Sequence, residues 1–553
     1  MKKRSIWTKI LLVLLILCSV FVLAACNSEE TPEEEEESTE KEEVCEHTFG
    51  EWTVTKEALC EDGSRERVCT KCEEKETQTL DATQDHVYGE WQIVKEASCQ
   101  NGETKKKKCQ TCKLEIEENS EEKGYHDYKD YTCTICKLVA SKDLSYTQSD
   151  DKTYYILSGI GECKDEKVVV LDRYEGLPVT AVKDGAFENC TTIKEIVIPE
   201  TITVIGNNAF KGCTAISNIS VPVSVVKIGE GAFGGCTALE SITLPFVGAE
   251  KDGTENTHFG YIFGAKSADA NNASIPEKLK TVKLSGAENI PAFAFNGCSK
   301  LESVDMGEEL KTIGNGAFAD CDGLKSVTVP ATVEEISQMA FYGCDSITAI
   351  SMSKGLKKIG AYAFFACEEL ASVTVPETVE VIGDNAFKNC KKLVTVTFNT
   401  TVLTNIGESA FEGCIAIQKL TLPEGLENIE DRAFAGCKLL DAVTFSSTVK
   451  GIGDSAFSGC EALKTLKITK NVTIVGGSAF ADCVKLESVS FDTGSKIAVI
   501  EENAFAGCTL LTKIAYPDTK DAWTAVVKGD KWDDKTGAYT VECSDEEIVK
   551  AAA

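Results

Sequence analysis

The stretch from Cys321 to Cys344 reads CDGLKSVTVPATVEEISQMAFYGC, and it contains the pattern that decides the fold of this 553-residue chain. Apolar and polar side chains alternate from Val327 to Val329, which predicts a β-strand with one buried face. Pro330 ends this strand, because proline has no N–H to donate to a sheet. A second short extended segment then holds Val333 and Ile336. We expect the Ala-Phe-x-x-Cys segment that closes the stretch to form a tight helical turn.

The Ala-Phe-x-x-Cys segment occurs thirteen times in the chain. Its phenylalanines are Phe187, Phe210, Phe233, Phe295, Phe318, Phe341, Phe364, Phe387, Phe411, Phe434, Phe457, Phe480 and Phe505. Successive phenylalanines are mostly 23 residues apart, with spacings of 24 and 25 and a single spacing of 62. A fixed short period is typical of stacked coils. The thirteen cysteines recur beside apolar positions, so we expect a buried ladder of free thiols that act as small apolar side chains.

The full pattern, Leu-x-x-Val-x-Ile-Pro-x-x-Val-x-x-Ile-Gly-x-x-Ala-Phe-x-x-Cys, resembles the BspA-like class of bacterial surface repeats over most of the chain. The resemblance implies a mainly β fold, a right-handed leucine-rich-repeat solenoid of parallel strands with short helical turns, over residues 186–510. Residues 143–185, which include Cys163 and Leu177-Pro178-Val179, resemble the N-terminal cap of that family. Residues 511–543, with Trp523, Trp532 and Cys543, resemble its C-terminal cap, and residues 544–553 are interpreted as a tail.

A second repeat occupies residues 44–142, with a period of 39 to 40 residues and a truncated third copy. Its three sets of histidines and cysteines are His47, Cys60, Cys69 and Cys72; His86, Cys99, Cys109 and Cys112; and His126, Cys133 and Cys136. Alternating apolar residues around Trp52 and Trp91 predict short β-hairpins. A Cys-x-x-Cys turn with a third cysteine and a histidine supplies the four ligands of tetrahedral zinc. We therefore predict small zinc-ribbon-like modules that hold roughly two structural zinc ions. Units this small have too little hydrophobic core to fold without a metal or a covalent cross-link.

Two features of these modules stay open at the level of sequence. The histidine that completes a site could precede or follow the cysteines, since 13 residues separate Cys72 from His86 and also Cys112 from His126. The third copy favours the preceding histidine. In an exported protein the cysteines could instead form disulfides, although three cysteines in each full copy leave one thiol unpaired. Cys45, Cys163 and Cys543 have no assigned role.

The first 43 residues predict export and attachment to lipid. Four basic residues precede the apolar run Ile10–Leu23, which is shorter than the about 20 residues that span a bilayer and is typical of a secretory signal. The run ends in Leu-Ala-Ala-Cys26, which resembles the lipobox of bacterial lipoproteins. The resemblance implies that residues 1–25 are removed and Cys26 is acylated; the alternative is an ordinary signal peptide with a chance cysteine. Residues 26–43 contain ten glutamates and predict an acidic, disordered spacer.

Composition and the side chains expected at the surface argue against some classes of function and favour others. The net charge of −31 argues against nucleic acid as a partner, and four histidines without a clustered acid/base pair argue against an enzyme. Hydroxyl side chains flank the buried valines and predict a polar sheet face for ligand binding; those of the central coils are Ser326, Thr328, Ser351, Ser372, Thr374, Thr395 and Thr397. Serine and threonine are also simply tolerated on exposed strands. In the irregular coil, His258, Phe259 and Tyr261 form either an aromatic contact site or the packing around Phe263 as a replacement core residue.

These observations predict a non-enzymatic protein held by lipidated Cys26 on the outer face of a bacterial cytoplasmic membrane. The resemblance implies adhesion, with the solenoid binding a protein or a glycan on a host or neighbouring cell. The alternative is a structural spacer of the cell envelope without a specific ligand.

Overall fold

The computed structural model describes residues 47–58, 62–82 and 85–550. The predictions for residues 1–43, including Cys26, lie outside the described residues, and so do Cys45 and Cys60. The described residues up to Val94, with Lys105–Glu118, form one compact unit, and Lys95–Thr104 with the described residues from Asn119 onward form another. None of the helices in the described ranges has the length and apolar character that crossing a bilayer requires.

The two full Cys/His copies each form a three-stranded sheet, and the third copy forms a two-stranded hairpin. Their strands are β1 (Thr53–Lys56), β2 (Gly63–Val68) and β3 (Lys75–Leu80); β4 (Gln92–Lys95), β5 (Gly102–Lys108) and β6 (Glu115–Lys123); and β7 (Tyr128–Lys129) and β8 (Thr132–Cys133). The predicted hairpins therefore gain a third strand in the two full copies. All residues of β1 and β4 are exposed. In the described part of the first unit, Cys69 and Cys109 are the only apolar side chains that are buried.

The segment predicted as the N-terminal cap, residues 143–185, contains five strands, which start both strand columns of the solenoid. They are β9 (Ser145–Gln148), β10 (Tyr155–Gly159), β11 (Lys167–Val169), β12 (Arg173–Tyr174) and β13 (Leu177–Val182). β9 pairs antiparallel with β10, and β10 pairs parallel with β13. Cys163 is buried in the core of this cap.

Each coil then contributes one longer strand and one two-residue strand, except the coil of β18, which has no two-residue strand. The longer strands are β14 (Glu195–Val197), β16 (Asn218–Ser220), β18 (Ser241–Leu244), β19 (Thr281–Leu284), β21 (Ser303–Asp305), β23 (Ser326–Val329), β25 (Ala349–Met352), β27 (Ser372–Val375), β29 (Thr395–Phe398), β31 (Lys419–Thr421), β33 (Ala442–Thr444), β35 (Thr465–Ile468), β37 (Ser488–Phe491) and β39 (Lys513–Ala515). The two-residue strands are β15 (Val204–Ile205), β17 (Lys227–Ile228), β20 (Asn289–Ile290), β22 (Thr312–Ile313), β24 (Glu335–Ile336), β26 (Lys358–Ile359), β28 (Val381–Ile382), β30 (Asn405–Ile406), β32 (Asn428–Ile429), β34 (Gly451–Ile452), β36 (Ile474–Val475), β38 (Val499–Ile500) and β40 (Val527–Lys528). Successive coils pair in parallel, residue for residue, as at Val327 with Ile350 and Ile359 with Ile382. The predicted mainly β solenoid is confirmed.

The Ala-Phe-x-x-Cys segments form tight turns that stack into a third column. Within a turn the hydrogen bonds run from a residue to the one three before it, as from Cys321 N–H to Phe318 O at 3.3 Å. Between coils the phenylalanine N–H donates to an alanine carbonyl, as from Phe341 to Ala363 O at 2.8 Å. The residue before each Ala-Phe pair has a positive φ, and Tyr362 adopts it at 57°. This left-handed residue keeps the turn from continuing as a helix.

The phenylalanines form a buried stack along the solenoid. The ring of Phe341 lies 5.1 Å from that of Phe318 and 5.2 Å from that of Phe364, with interplanar angles of 1° and 2°. The parallel pairing of the coils sets this repeat, since neighbouring strands lie about 4.8 Å apart. A continuous ring stack is therefore the direct consequence of placing one phenylalanine in each coil.

The cysteines form a second buried column beside the phenylalanines. Twelve of the thirteen are buried, and Cys190 in the first turn is half-buried. In eleven of them the thiol donates to the carbonyl oxygen of the phenylalanine one coil earlier, at distances from 2.9 Å at Cys344 to 3.6 Å at Cys460. The predicted ladder of buried cysteines is confirmed. Its thiols donate hydrogen bonds to carbonyl oxygens, so these buried polar groups do not stay unpaired.

The buried cysteines are expected to resist alkylation in the native protein at pH 8. Burial raises the pKa of Cys236 to about 11 and that of Cys508 to about 12, so little of the reactive thiolate is present at this pH. Iodoacetamide followed by peptide mass spectrometry should modify Cys190 slowly and the other twelve only after denaturation without reductant. Disulfide-linked peptides within the ladder would contradict the prediction.

The irregular coil, which contains the 62-residue spacing, has two short 3-10 helices, Phe259–Phe263 and Ala268–Ala270, and the helix α1 (Asn271–Ser274). Phe259 lies 4.9 Å from Phe295, and Phe263 lies 6.4 Å from Phe233. Two phenylalanines thus continue the stack across the coil that lacks an Ala-Phe-x-x-Cys segment. The interpretation in which these aromatics replace core residues fits this arrangement.

The C-terminal end is closed by α2 (Lys520–Ala525), β41 (Tyr539–Glu542) and β42 (Glu547–Lys550). Trp523 and Tyr539 are buried against the last coil, and Cys543 is half-buried at its edge. β42 pairs antiparallel with β41, and Lys550 Nζ lies 2.6 Å from Asp533 Oδ2. The segment interpreted as a tail therefore contains the edge strand of the sheet.

Candidate metal centres and an exposed sheet face

Three groups of cysteine and histidine side chains converge in the Cys/His copies. They are His47, Cys69 and Cys72; His86, Cys109 and Cys112; and Cys99, His126, Cys133 and Cys136. Within each group the potential ligand atoms all lie within 4.8 Å of one another. In every group the histidine is the one that precedes the Cys-x-x-Cys pair, and its Nδ1 lies 3.2–3.4 Å from the Sγ of the second cysteine.

The same backbone turn positions the two cysteines in all three copies. The residue after the pair has a positive φ of 61° at Glu73, 68° at Lys113 and 65° at Lys137. Its N–H donates to the carbonyl of the first cysteine at 3.0–3.1 Å, and the N–H of that cysteine donates to a carbonyl five residues later at 2.8 Å. This hydrogen bonding points both thiols to one side of the turn.

The first cysteine of each pair is stabilised as a thiolate. A backbone N–H two residues later is the largest influence that lowers the pKa of Cys69 to about 5. At Cys109 and Cys133 burial acts to raise the pKa, but the N–H of the second cysteine and the histidine outweigh it and lower the pKa to about 5 and about 6. The thiolate is the form that binds metal, so these side chains are prepared as ligands at neutral pH.

Cys99 lies in a different group from the one that its position in the repeat predicts. The sequence places it with His86, Cys109 and Cys112, whereas the structure places it with His126, Cys133 and Cys136. Its Sγ is 3.7 Å from Cys133 Sγ. That distance matches the edge of a tetrahedron with zinc–sulfur bonds of about 2.3 Å and far exceeds a disulfide bond of about 2.05 Å.

In the first group, the carboxylate of Glu74 lies next to the histidine. His47 Nδ1 faces Cys72 Sγ at 3.2 Å, and His47 Nε2 lies 3.0 Å from Glu74 Oε2. A histidine that binds metal through one nitrogen commonly donates the other N–H to a carboxylate, which fixes the ring and raises its basicity. Sequence reasoning missed Glu74, although its place two residues after the Cys-x-x-Cys pair is a usable signal.

We expect Glu74→Gln to weaken zinc binding at the first group by about tenfold, because the amide is a poorer acceptor for the His47 N–H. Competition with a chromophoric chelator measures this loss. Glu76→Gln is the matched control, since Glu76 on β3 pairs with Arg67 on the neighbouring strand β2 and is in none of the three ligand groups. Equal zinc affinity in Glu74→Gln and the wild-type protein would argue against this role.

The predicted hydroxyl side chains lie on one exposed sheet face. Ser326, Thr328, Ser351, Ser372, Thr374, Thr395 and Thr397 are all exposed, and they alternate with side chains that point into the core. The strands pair so that Thr328 is beside Ser351 and Thr374 is beside Thr397. We call these seven residues on β23, β25, β27 and β29 the hydroxyl face.

The three residues predicted as an aromatic contact site do not form an exposed one. Phe259 is fully buried, and His258 is buried with its Nε2 3.1 Å from Ala265 O. Tyr261 is half-buried, with its ring 6.1 Å from that of His258. The physical reason is the missing Ala-Phe-x-x-Cys segment, whose place in the core these side chains fill.

Comparison with known proteins identifies the repeat. The profile of the BspA type leucine rich repeat region matches six copies, over residues 177–283, 288–418 and 404–524. No curated protein sequence matches the chain. A leucine-rich repeat protein from Bacteroides ovatus is 24% identical, with 72% of this chain and 98% of that chain covered and a TM-score of 0.46. A leucine rich cell surface protein from Faecalibacterium prausnitzii is 21% identical, with 70% and 96% covered and a TM-score of 0.29. Because the profile matches more than half of its residues, the chain belongs to the family of proteins with BspA type leucine-rich repeats.

Proposed function

We propose that this protein is a non-enzymatic, lipid-anchored protein of the bacterial cell surface whose solenoid binds a protein or a glycan. The observation that carries the proposal is the hydroxyl face, in which exposed serine and threonine side chains lie side by side on paired strands. Repeat scaffolds of this family generally bind proteins or mediate adhesion. The proposed anchor is Cys26, on the evidence of the lipobox-like sequence before it. The proposed partner is displayed on a host or neighbouring cell.

A shallow groove that includes part of the hydroxyl face supports recognition of a polar ligand. Its lining includes Ser351, Thr374 and Asn399, together with the ion pair between Lys354 and Glu377 at 3.4 Å. Hydroxyl, amide and charged groups together offer both donors and acceptors to a polar ligand. Lys354 and Glu377 place one positive and one negative charge at the edge of the groove, where such a ligand would bind.

Binding of the full-length protein to arrays of cell-surface proteins, matrix proteins and glycans tests the proposal. Thr374→Arg places a long cation in the hydroxyl face and should abolish binding to any ligand found. Thr312→Arg is the matched control, because Thr312 is exposed on the two-residue strand β22. Binding that survives Thr374→Arg and is lost in Thr312→Arg would place the ligand elsewhere.

Lipid attachment has its own test. Growth of the source bacterium, or of a bacterial host that acylates lipoproteins, with a labelled fatty acid should label the protein, and Cys26→Ala should prevent labelling. Label in Cys26→Ala, or none in the unaltered protein, would exclude the proposed anchor.

We also propose that the three Cys/His groups hold structural zinc. Thiolate and imidazole donors suit zinc better than calcium or magnesium, which prefer oxygen ligands. The single observation that supports zinc most strongly is the S···S distance of 3.7 Å between Cys99 and Cys133. Metal analysis of purified protein, with all module thiols reduced, tests it; absence of bound metal would exclude the proposal.

A further inference from the structure

The third Cys/His group combines two copies of the repeat. Cys99 lies in the turn between β4 and β5 of the second copy, and His126, Cys133 and Cys136 belong to the third copy. Among the described residues, this is the group that has four potential ligands. A Cys3His set completes the tetrahedral shell of a structural zinc site.

The backbone around Cys99 holds the turn close to the third copy. Ser98 and Asn101 exchange backbone hydrogen bonds of 2.7 and 3.1 Å across the turn. The Gly124 N–H donates to Ser98 O at 2.9 Å. A Cβ atom at Gly124 would lie 2.6 Å from Ala97 O, so glycine is what allows this close approach. The position of Cys99 is therefore fixed by main-chain contacts and not by its thiol alone.

The third copy is in turn attached to the N-terminal cap of the solenoid. The backbone N–H of His126 donates to Asp172 Oδ2 at 2.6 Å, and Asp172 is buried. The guanidinium of Arg173 lies 3.8 Å from the ring centre of Tyr125. Tyr128 packs against the apolar cluster of Ala140, Val169 and Leu171, apart from the main core. His126, a ligand residue, thus contacts the segment that follows cap strand β11.

We propose that one zinc ion binds Cys99, His126, Cys133 and Cys136, and that this ion joins the second-copy turn to the third copy and stabilises the cap of the solenoid. The inference rests on the proposed structural zinc and adds which cysteine completes this site and what depends on it. Zinc occupancy then controls how firmly the first coils are closed, because His126 is held by the metal on one side and by Asp172 on the other. A solenoid needs such closure, since its end coil would otherwise expose core.

Paired substitutions identify the partner of Cys99. Cys99→Ser and His126→Ala should each weaken one zinc site at least tenfold in competition with a chelator, and the double variant should lose the same single ion. Cys99→Ser combined with His86→Ala should lose two ions. This non-additive pattern is expected of residues that serve one site. Circular dichroism of the solenoid checks that each variant is folded.

Hydrogen exchange with zinc present and after chelation tests the effect on the cap. In the unaltered protein, chelation should raise exchange at least tenfold in peptides covering residues 126–140 and 167–174, and peptides covering 324–344 should not change. Cys99→Ser should behave like the chelated protein. Cys72→Ser is the matched control: it should lose zinc from the first group and leave exchange in the cap unchanged.

The outcomes separate this inference from the proposal on which it rests. If the unaltered protein binds no zinc, both fail. If it binds zinc but Cys99→Ser acts on the same ion as His86→Ala, structural zinc stands and the assignment of Cys99 is overturned. If the assignment holds but exchange in the cap is insensitive to metal, the proposed stabilisation of the cap is overturned.

Discussion

Removal of zinc by a chelator is expected to unfold the two full Cys/His copies while the solenoid stays folded. The described part of the first unit buries only Cys69 and Cys109 among its apolar side chains, so it has no core to hold it together. Structural zinc in small peptides contributes about 10–16 kcal/mol of binding free energy, and in such units that energy is the folding energy. The expected effect is therefore complete loss of the sheets formed by β1–β3 and β4–β6.

The surface contacts of these copies are too weak to replace the metal. Arg65 and Arg67 lie over the ring of Trp52 at 4.7 and 4.6 Å, and Lys107 lies 4.5 Å from the ring centre of Trp91. Exposed cation–π contacts of this kind contribute about 0.5–1 kcal/mol each. They define where the tryptophans rest once the unit is folded.

Fluorescence of single-tryptophan variants that retain Trp52 or Trp91 measures the unfolding. Chelation should shift the emission of both to that of a solvated indole, and added zinc should reverse the shift. A variant that retains only buried Trp523 in the C-terminal cap is the control and should not respond. Metal-free protein with unchanged Trp52 and Trp91 emission would show that the copies fold without metal.

Replacing Phe341 with alanine is expected to lower the free energy of unfolding of the solenoid by about 3–5 kcal/mol. The side chain is fully buried and stacks between Phe318 and Phe364. Coils in a repeat protein contact only their neighbours, so the cavity weakens both interfaces of one coil and cannot be relieved by distant repacking.

Phe365→Ala is the matched control for Phe341→Ala. Phe365 is a half-buried phenylalanine of the next coil that stacks on Tyr342 at 4.8 Å, outside the core column. Its replacement should cost about 1 kcal/mol, the order expected of an aromatic pair at the surface. Urea denaturation monitored by circular dichroism compares the two. Equal shifts of the midpoint would mean that the ring stack has no special role in stability.

The solenoid is predictable from sequence because its determinants are local and repeated. Apolar residues recur from coil to coil at the positions of Val327 and Ile336. The alternation within one coil therefore predicts which face of each strand is buried. The fixed spacing of the Ala-Phe-x-x-Cys segments likewise predicts the phenylalanine and cysteine columns. The alternation also places Thr328 and Thr374 on an exposed face, since their neighbours in the strand must point inward.

The metal groups were less predictable because their partners are set by contacts between copies. Thirteen residues separate Cys72 from His86 and also Cys112 from His126, and this regular spacing gives no sign that Cys99 belongs with the third copy. The close approach of Gly124 to Ala97 decides it, and no pattern within one copy reports that approach. The irregular coil posed a similar difficulty: His258 and Phe259 look accessible in a loop-like sequence and are buried by the gap that they fill.

The strand β42 shows a third limit of sequence reasoning. Glu547–Lys550 follows the last pattern that resembles the family cap, and two of its four residues are charged, which is typical of a tail. It nevertheless pairs antiparallel with β41 and forms the edge strand of that sheet. The partner strand is supplied by the end of the solenoid and not by a pattern in the segment itself.

The most direct test of the central claim, that the solenoid binds a surface ligand through the hydroxyl face, is hydrogen exchange of the full-length protein with and without a ligand from the binding arrays. We predict slower exchange in the peptides that contain β23, β25, β27 and β29, with no change in the Ala-Phe-x-x-Cys turns of the same coils. Protection confined to those turns, or no ligand bound from any array, would contradict the account and favour a structural spacer of the cell envelope.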